Sequence, residues 1–343
     1  MERYQALWEK ELVQDESVVF VERNGIIYGN LAFEPQEILQ AKDRNGRLLL
    51  QGIDFEVEGQ KVILKNRAIY FFKEEWLRNE NVPDIPNENK RYGIHGALLI
   101  DPLYLRERQI LISYKKEKCD CLRFLPESIT LPKTLEKLRV GKRLKIALFG
   151  DSISNAANSS WEMGLTGYEH YFSKVCRIVG ELYDASVSYI NVSRSGYGTE
   201  WALSAVEEKL KESNADLVVI AFGMNDAPDG ISTEKFTRNV AELMCRIAVF
   251  LPDAEYVLVA PPLPNSDCKW VYAGQDDYYN GLKELNTTGA CALNFTLLSQ
   301  FLLKNKAFVE ISGNNLNHPN DFFYEWYADA YITLFDELRR EIN

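Results

Sequence analysis

The chain has 343 residues, is 46% hydrophobic and 26% charged, and carries a formal net charge of −11. At roughly 150 residues per domain this length predicts two domains. No apolar run approaches the roughly 20 residues that cross a bilayer, and the basic residues are dispersed among more numerous acids, so a membrane-spanning helix and a nucleic-acid partner are both disfavoured.

From Ser17 to about Tyr114 the pattern is one of short β-type runs, among them Val18–Val21, Ile26–Tyr28, Phe55–Val57, Val62–Leu64, Ile69–Phe72 and Ile110–Ile112. Turn signals at Arg44-Asn45-Gly46 and Glu58-Gly59 separate them, which predicts a hairpin over Phe55 to Leu64 and an antiparallel sandwich. Asn79 to Asn89 reads as a long exposed loop and Leu122 to Arg143, with Pro126 and Pro132, as a linker. The expected division is a β-sandwich, jelly-roll-like accessory domain over 1–135 and a second domain over 140–343.

After Leu144 the rhythm changes to alternating strands and helices. Strands are predicted at Lys145–Phe149, Val187–Val192, Leu217–Phe222, Tyr256–Ala260 and Cys291–Asn294. Helices are predicted at Tyr168–Leu182, Trp201–Lys211, Thr233–Phe250, Tyr278–Thr287 and Asp321–Arg340, the third with Ser232 or Thr233 as N-cap. This alternation implies an α/β fold with a parallel sheet covered on both faces and every strand-to-helix loop on one edge.

Three of those loops hold unusual residues. Gly150-Asp151-Ser152 ends the first strand and places a hydroxyl at the edge. Ser193-Arg194-Ser195-Gly196-Tyr197-Gly198 follows the second, and Gly223-Met224-Asn225-Asp226 the third. If Ser152 is a nucleophile it needs a base and an oxyanion hole, and the N–H groups of Ser152 and Gly196 with the Asn225 amide are three candidate donors. Taken alone, Gly-Asp-Ser is also compatible with a plain turn or helix cap, and Asn225 with a turn.

The chain has three histidines. His95 lies in the β-rich part and His170 at a helix start, which leaves His318, in the polar loop before the last helix, as the candidate base.

In their order and spacing, Gly150-Asp151-Ser152, the Gly196 loop, Gly223-x-Asn225-Asp226 and the late His318-Pro319-Asn320 resemble the four blocks of the SGNH, or GDSL-type, hydrolases. The resemblance covers Lys145 to the end. It implies a three-layer flavodoxin-like domain and ester hydrolysis, with Ser152 as nucleophile, His318 as base, and Ser152, Gly196 and Asn225 as oxyanion donors. The β-rich N-terminal part is more loosely similar to the sandwich that precedes this domain in some carbohydrate esterases.

Asn315 departs from the pattern, because the family usually has Asp three residues before the histidine. The expected mechanism is therefore a Ser-His dyad, or a Ser-His-Asn triad in which the Asn315 carbonyl oxygen orients the ring, with Asp321 and Asp226 as substitute carboxylates. Tyr324 is a second departure, in a region where relatives often have another histidine. Asp151, Trp161, Trp201 and Trp270 are the candidate substrate-binding residues, with Tyr272 beside them. Asp276-Asp277 reads as a solvated acidic face.

The resulting expectation is a serine esterase, acetylesterase-like, that removes short acyl groups from a carbohydrate. The alternatives are a lipase-like or arylesterase activity on small lipophilic esters and a non-catalytic carbohydrate-binding protein with a disabled hydrolase domain. No cofactor or metal is called for, and the expected partner is a small-molecule or carbohydrate ester, with homo-oligomerisation left open. The polar opening Met1-Glu2-Arg3-Tyr4-Gln5 has no leader-like apolar core, which predicts a cytoplasmic location. The six cysteines are then expected to be free thiols, Cys119-Asp120-Cys121 being a strand-end loop rather than a zinc site.

Overall fold

A computed structural model describes residues 3–82, 90–94, 96–119, 122, 124–126 and 128–340. His95, Cys121 and most of the expected Asn79–Asn89 loop lie outside the described residues.

In chain order the N-terminal part holds β1 (Leu12–Val18), β2 (Val21–Arg23), β3 (Ile26–Asn30), β4 (Glu37–Asp43), β5 (Phe55–Glu58), β6 (Lys61–Leu64), β7 (Phe72–Lys73), α1 (Glu74–Leu77), β8 (Lys90–Ile94), β9 (Ala97–Ile100), α2 (Pro102–Arg106) and β10 (Ile110–Lys115). A three-stranded sheet runs β1-β10-β4 and a five-stranded one β5-β6-β3-β2-β7. Every pair in them is antiparallel except β2 with β7, and β5 and β6 form the expected hairpin.

The segment expected to be a linker is packed. Pro132 occupies the first turn of α3 (Pro132–Arg139), where its missing N–H costs nothing, and Leu131, Leu135 and Leu138 are buried. Prolines read as breakers therefore start a helix here.

The α/β part continues with β11 (Arg143–Gly150), α4 (Tyr171–Tyr183), β12 (Ser186–Asn191), α5 (Thr199–Leu210), β13 (Leu217–Ala221), α6 (Thr233–Phe250), β14 (Glu255–Ala260), α7 (Tyr278–Leu282), β15 (Ala290–Asn294), α8 (Phe295–Leu303), α9 (Phe308–Ile311) and α10 (Asp321–Arg340). Ser232 is the N-cap of α6, its Oγ accepting the Lys235 N–H at 3.3 Å.

The five parallel strands lie in the order β12-β11-β13-β14-β15. Read as first to fifth strand this is 2-1-3-4-5, the flavodoxin-like winding, which puts the switch point between β11 and β13 at the end carrying Ser152. One face of the sheet packs on α5 and α6 through Val206, Val240 and Leu243. The other packs on α4 and α10 and joins the apolar residues of the N-terminal sheets in one continuous cluster. Trp326 of α10 shows that join, with ring centroids 5.4 Å from Trp8 and 6.1 Å from Phe33.

Cys119 is disulfide-bonded, which corrects the expectation of six free thiols; Cys176, Cys245 and Cys291 are free. No helix among the described residues is long and apolar enough to cross a membrane.

Candidate active site

The three strand-to-helix loops are tied to one another by hydrogen bonds at the carboxyl edge of the sheet. The Arg194 N–H donates to Gly150 O at 2.9 Å, and Asn155 Nδ2 donates to Ser195 Oγ at 3.1 Å, joining the first loop to the second. The third loop is joined to the second by Asn225 Nδ2 donating to Tyr197 O at 3.1 Å and by the Thr199 N–H donating to Asp226 Oδ1 at 2.8 Å. The edge is thus a cross-linked frame.

Ser152 Oγ lies 2.9 Å from His318 Nε2. His318 is carried by the loop between α9 and α10, which Asn314 folds on itself: its Oδ1 accepts the N–H groups of Leu316, Asn317 and His318 at 2.9, 3.1 and 3.3 Å. Gly313 donates its N–H to His318 O at 2.8 Å, closing the turn. Burial pushes the His318 imidazole down to about 4, so the neutral ring is the form present at pH 7.

The Ser152 and Gly196 N–H groups make no hydrogen bond among the described residues. Gly196 has φ of +81°, a left-handed backbone that a side chain would strain, and this conformation turns the loop at that point. The Asn225 amide uses one hydrogen on Tyr197 O and keeps the other.

Several expected site residues fall elsewhere. Asn315 does not reach His318. With φ of +63° its side chain turns toward the N-terminal part and donates to Leu98 O at 3.0 Å, while its own carbonyl accepts from Asn265 Nδ2 at 2.8 Å. Asp321 and Asp226 are also committed: Asp321 accepts from the Ser160 N–H and hydroxyl at 2.7 and 2.6 Å, and Asp226 from Thr199.

Asp151 is 2% exposed and accepts the Ile153 N–H at 2.9 Å, which braces the turn after β11. Burial, with Asp226 nearby, pushes its carboxyl up to about 7. Trp201 packs against Phe149, Phe222 and Tyr197 and is half-buried. Trp161 and Trp270 stay 41% and 55% exposed, Trp161 with its ring in edge-to-face contact with His170, the centroids 4.7 Å apart. Tyr324 is buried, its hydroxyl donating to Ala157 O. Tyr272 lines a cavity of about 430 Å³ at the junction with the N-terminal part, together with Arg23, Arg78 and Asn315.

What sits against the far nitrogen of His318 is Asn158, its Oδ1 2.6 Å from Nδ1. Nothing in the order of motifs marks this residue; the one local hint is that Asn tolerates the left-handed backbone found there, φ of +65°. Among the described residues no group of three His, Cys, Asp or Glu side chains is placed to hold a metal ion.

A parallel 2-1-3-4-5 sheet with a serine and a histidine paired at its switch point defines the class, an α/β acylhydrolase. The chain belongs to the GDSL-like lipase/acylhydrolase family, which residues 148–326 match, and it is a carboxylic ester hydrolase of that family. Solved structures with a similar chain path include Axe2, an acetylxylan esterase from Geobacillus stearothermophilus, at 16% identity and a TM-score of 0.46 over 56% of this chain and 94% of that one. A two-domain esterase, CEX, active on acetylated mannans is 22% identical with a TM-score of 0.48 over 60% and 52%. A lipase/acylhydrolase from Enterococcus faecalis is 19% identical with a TM-score of 0.42 over 57% and 96%. No curated protein matches the chain.

Proposed function

We propose that the protein is a serine esterase that removes acetyl or similarly short acyl groups from a carbohydrate, with Ser152 as nucleophile and His318 as base. The observation that carries this reading is the 2.9 Å approach of Ser152 Oγ to His318 Nε2 beside two unengaged backbone N–H groups. Ser152 Oγ attacks the ester carbonyl while Nε2 takes its proton. The carbonyl oxygen becomes an oxyanion held by the Ser152 and Gly196 N–H groups and the second hydrogen of the Asn225 amide. His318 returns the proton to the leaving alcohol, and water then repeats the sequence on the acyl-enzyme, freeing the acid and Ser152.

The carbohydrate preference is supported by the exposure of the Trp161 and Trp270 indoles, apolar rings of the kind on which sugars stack. Acetylated sugars and p-nitrophenyl esters of increasing chain length, assayed with Ser152→Ala as the blank, test both parts. Hydrolysis of short esters that is lost by at least about 10³-fold in the variant is expected. A preference for long acyl chains would replace the carbohydrate by a lipophilic substrate, and glycan binding with no Ser152-dependent turnover would sink the enzymatic assignment.

A further inference from the structure

The base of a serine hydrolase needs a partner on its other ring nitrogen, one that holds the Nδ1–H tautomer so that Nε2 presents its lone pair to the serine. Two groups face Nδ1 of His318: Asn158 Oδ1 at 2.6 Å and Asn314 Nδ2 at 3.2 Å. Asn314 is fixed in orientation, because its Oδ1 accepts the N–H groups of Leu316 and Asn317 and one Nδ2 hydrogen goes to Asn317 Oδ1 at 3.1 Å; its second hydrogen is the competing donor toward Nδ1, at the longer distance of the two. At 2.6 Å an amide oxygen facing a bare ring nitrogen would be lone pair against lone pair. The same distance suits a ring N–H donating to that oxygen.

The turn that carries Asn158 is built to hold this position. Asn158 has a left-handed backbone, and a Cβ on Gly313 would fall 2.9 Å from the Asn158 Cβ, so the glycine is what lets the two loops touch. Two residues on, Ser160 is clamped by Asp321 at the start of α10 and by Arg106 Nε, 2.5 Å from its Oγ. Asp321 is in turn 3.3 Å from Arg44 Nη1. The N-terminal part therefore reaches the turn that carries Asn158 through Arg44 and Arg106.

We propose that Asn158, supplied by the turn just after the nucleophile, is the positioning residue that orients His318 and sets its tautomer in place of a carboxylate on the histidine's own loop. The proposal rests on the esterase reading of Ser152 and His318, and it makes the site a Ser-His-Asn relay drawn from two separate loops. A neutral amide accepts a hydrogen bond from Nδ1–H but adds no charge to stabilise the imidazolium.

The test uses the full chain with histidine labelled with ¹⁵N, where three imidazoles give a resolvable spectrum, and p-nitrophenyl acetate as substrate. Asn158→Gly removes the amide and keeps the left-handed turn without strain. It is expected to lower kcat at least about 10-fold with KM within about twofold, and to move the ring proton off Nδ1. Asn158→Asp supplies a carboxylate, although Glu162 Oε2 already accepts the Asn158 N–H at 3.2 Å. It is expected to keep or raise kcat and to shift the acid limb of the pH profile upward by about 1–3 units, which a residue that only braces the turn would not do.

The proposal is overturned by a wild-type His318 protonated on Nε2, by Asn158→Gly keeping the wild-type tautomer and kcat, or by an acid limb that Asn158→Asp leaves in place. Hydrolysis undiminished in Ser152→Ala would remove the esterase reading instead, and the tautomer measurement would still judge Asn158. If Asn158→Gly fails to fold, the pH profile of Asn158→Asp decides.

Discussion

His318 is the residue on which rate and pH meet. Its burial disfavours the imidazolium and sets its value at about 4 rather than the usual 6.5. A base must be unprotonated in the free enzyme to accept the Ser152 proton, so kcat/KM is expected to stay near its plateau down to about pH 5 and to fall only as the pH approaches 4. The same shift has a stability consequence. The unfolded chain binds a proton below about pH 6.5 that the folded ring refuses until about 4, so this group lowers stability as pH falls through that window. A pH–rate profile on a neutral ester checks the first statement. An acid limb centred near 6.5 would show that the ring is more solvated, or better paired, than the structure has it.

At the scale of elements, the catalytic pair is set by how two turns approach rather than by any one helix or strand. The α9–α10 loop and the turn after β11 touch at Gly313, where a Cβ would sit 2.9 Å from both the Asn158 Cβ and the Asn158 carbonyl oxygen and 3.0 Å from Pro319 O. None of these atoms is the free end of a flexible chain. Gly313→Ala is expected to force the loops apart, at a cost of about 1–3 kcal/mol in stability and a fall in kcat larger than the change in KM. Urea unfolding and steady-state kinetics on one preparation check it, and wild-type kcat in a destabilised variant would separate the loop packing from the chemistry.

Element by element, legibility in the sequence followed polarity contrast. The bounds of α6 are readable because the Ser232 cap and a polar face set off the apolar one, and those of α10 because Asp321 opens it and Arg339-Arg340 close it, although most of the helix is buried. α8, Phe295–Leu303, shows no helical period in the sequence, because FTLLSQFLL has few polar residues to alternate with its apolar ones.

Over the whole molecule, the N-terminal sheets and the α/β part are joined through their interiors. The side chains of Lys306 and Glu16 are both 0% exposed and 2.6 Å apart, and Lys306 Nζ also donates to Ser17 O at 2.9 Å. Glu16 further accepts the Ala32 N–H and the Tyr114 hydroxyl at 2.7 Å each. Beside them Glu310 accepts the Asn30 N–H at 2.7 Å, and Tyr4 and Leu7 bond to Asp329 of α10. Because both charges are out of water, removing one leaves the other uncompensated. Lys306→Met, close in volume, is expected to cost about 3–5 kcal/mol, measured by urea denaturation. A loss below about 1 kcal/mol would mean that water reaches Glu16 and that the two parts are more loosely joined than described.

The sequence by itself determined the β-rich then α/β order of the chain, the parallel strands within a residue or two of their ends, and the four blocks that bring Ser152, Gly196, Asn225 and His318 to one edge. These are carried by local patterns, namely runs of apolar residues, turn chemistry and spacing along the chain, and such patterns survive without knowledge of distant contacts. The tertiary structure alone decided which amide oxygen faces the histidine. Asn315 is three residues from His318 in sequence, yet its left-handed backbone sends its side chain to Leu98. Asn158 is 160 residues away and arrives at 2.6 Å because Gly313 has no side chain to keep it out. The direction of a side chain depends on backbone torsion and close packing between remote segments, and neither can be read from the order of residues.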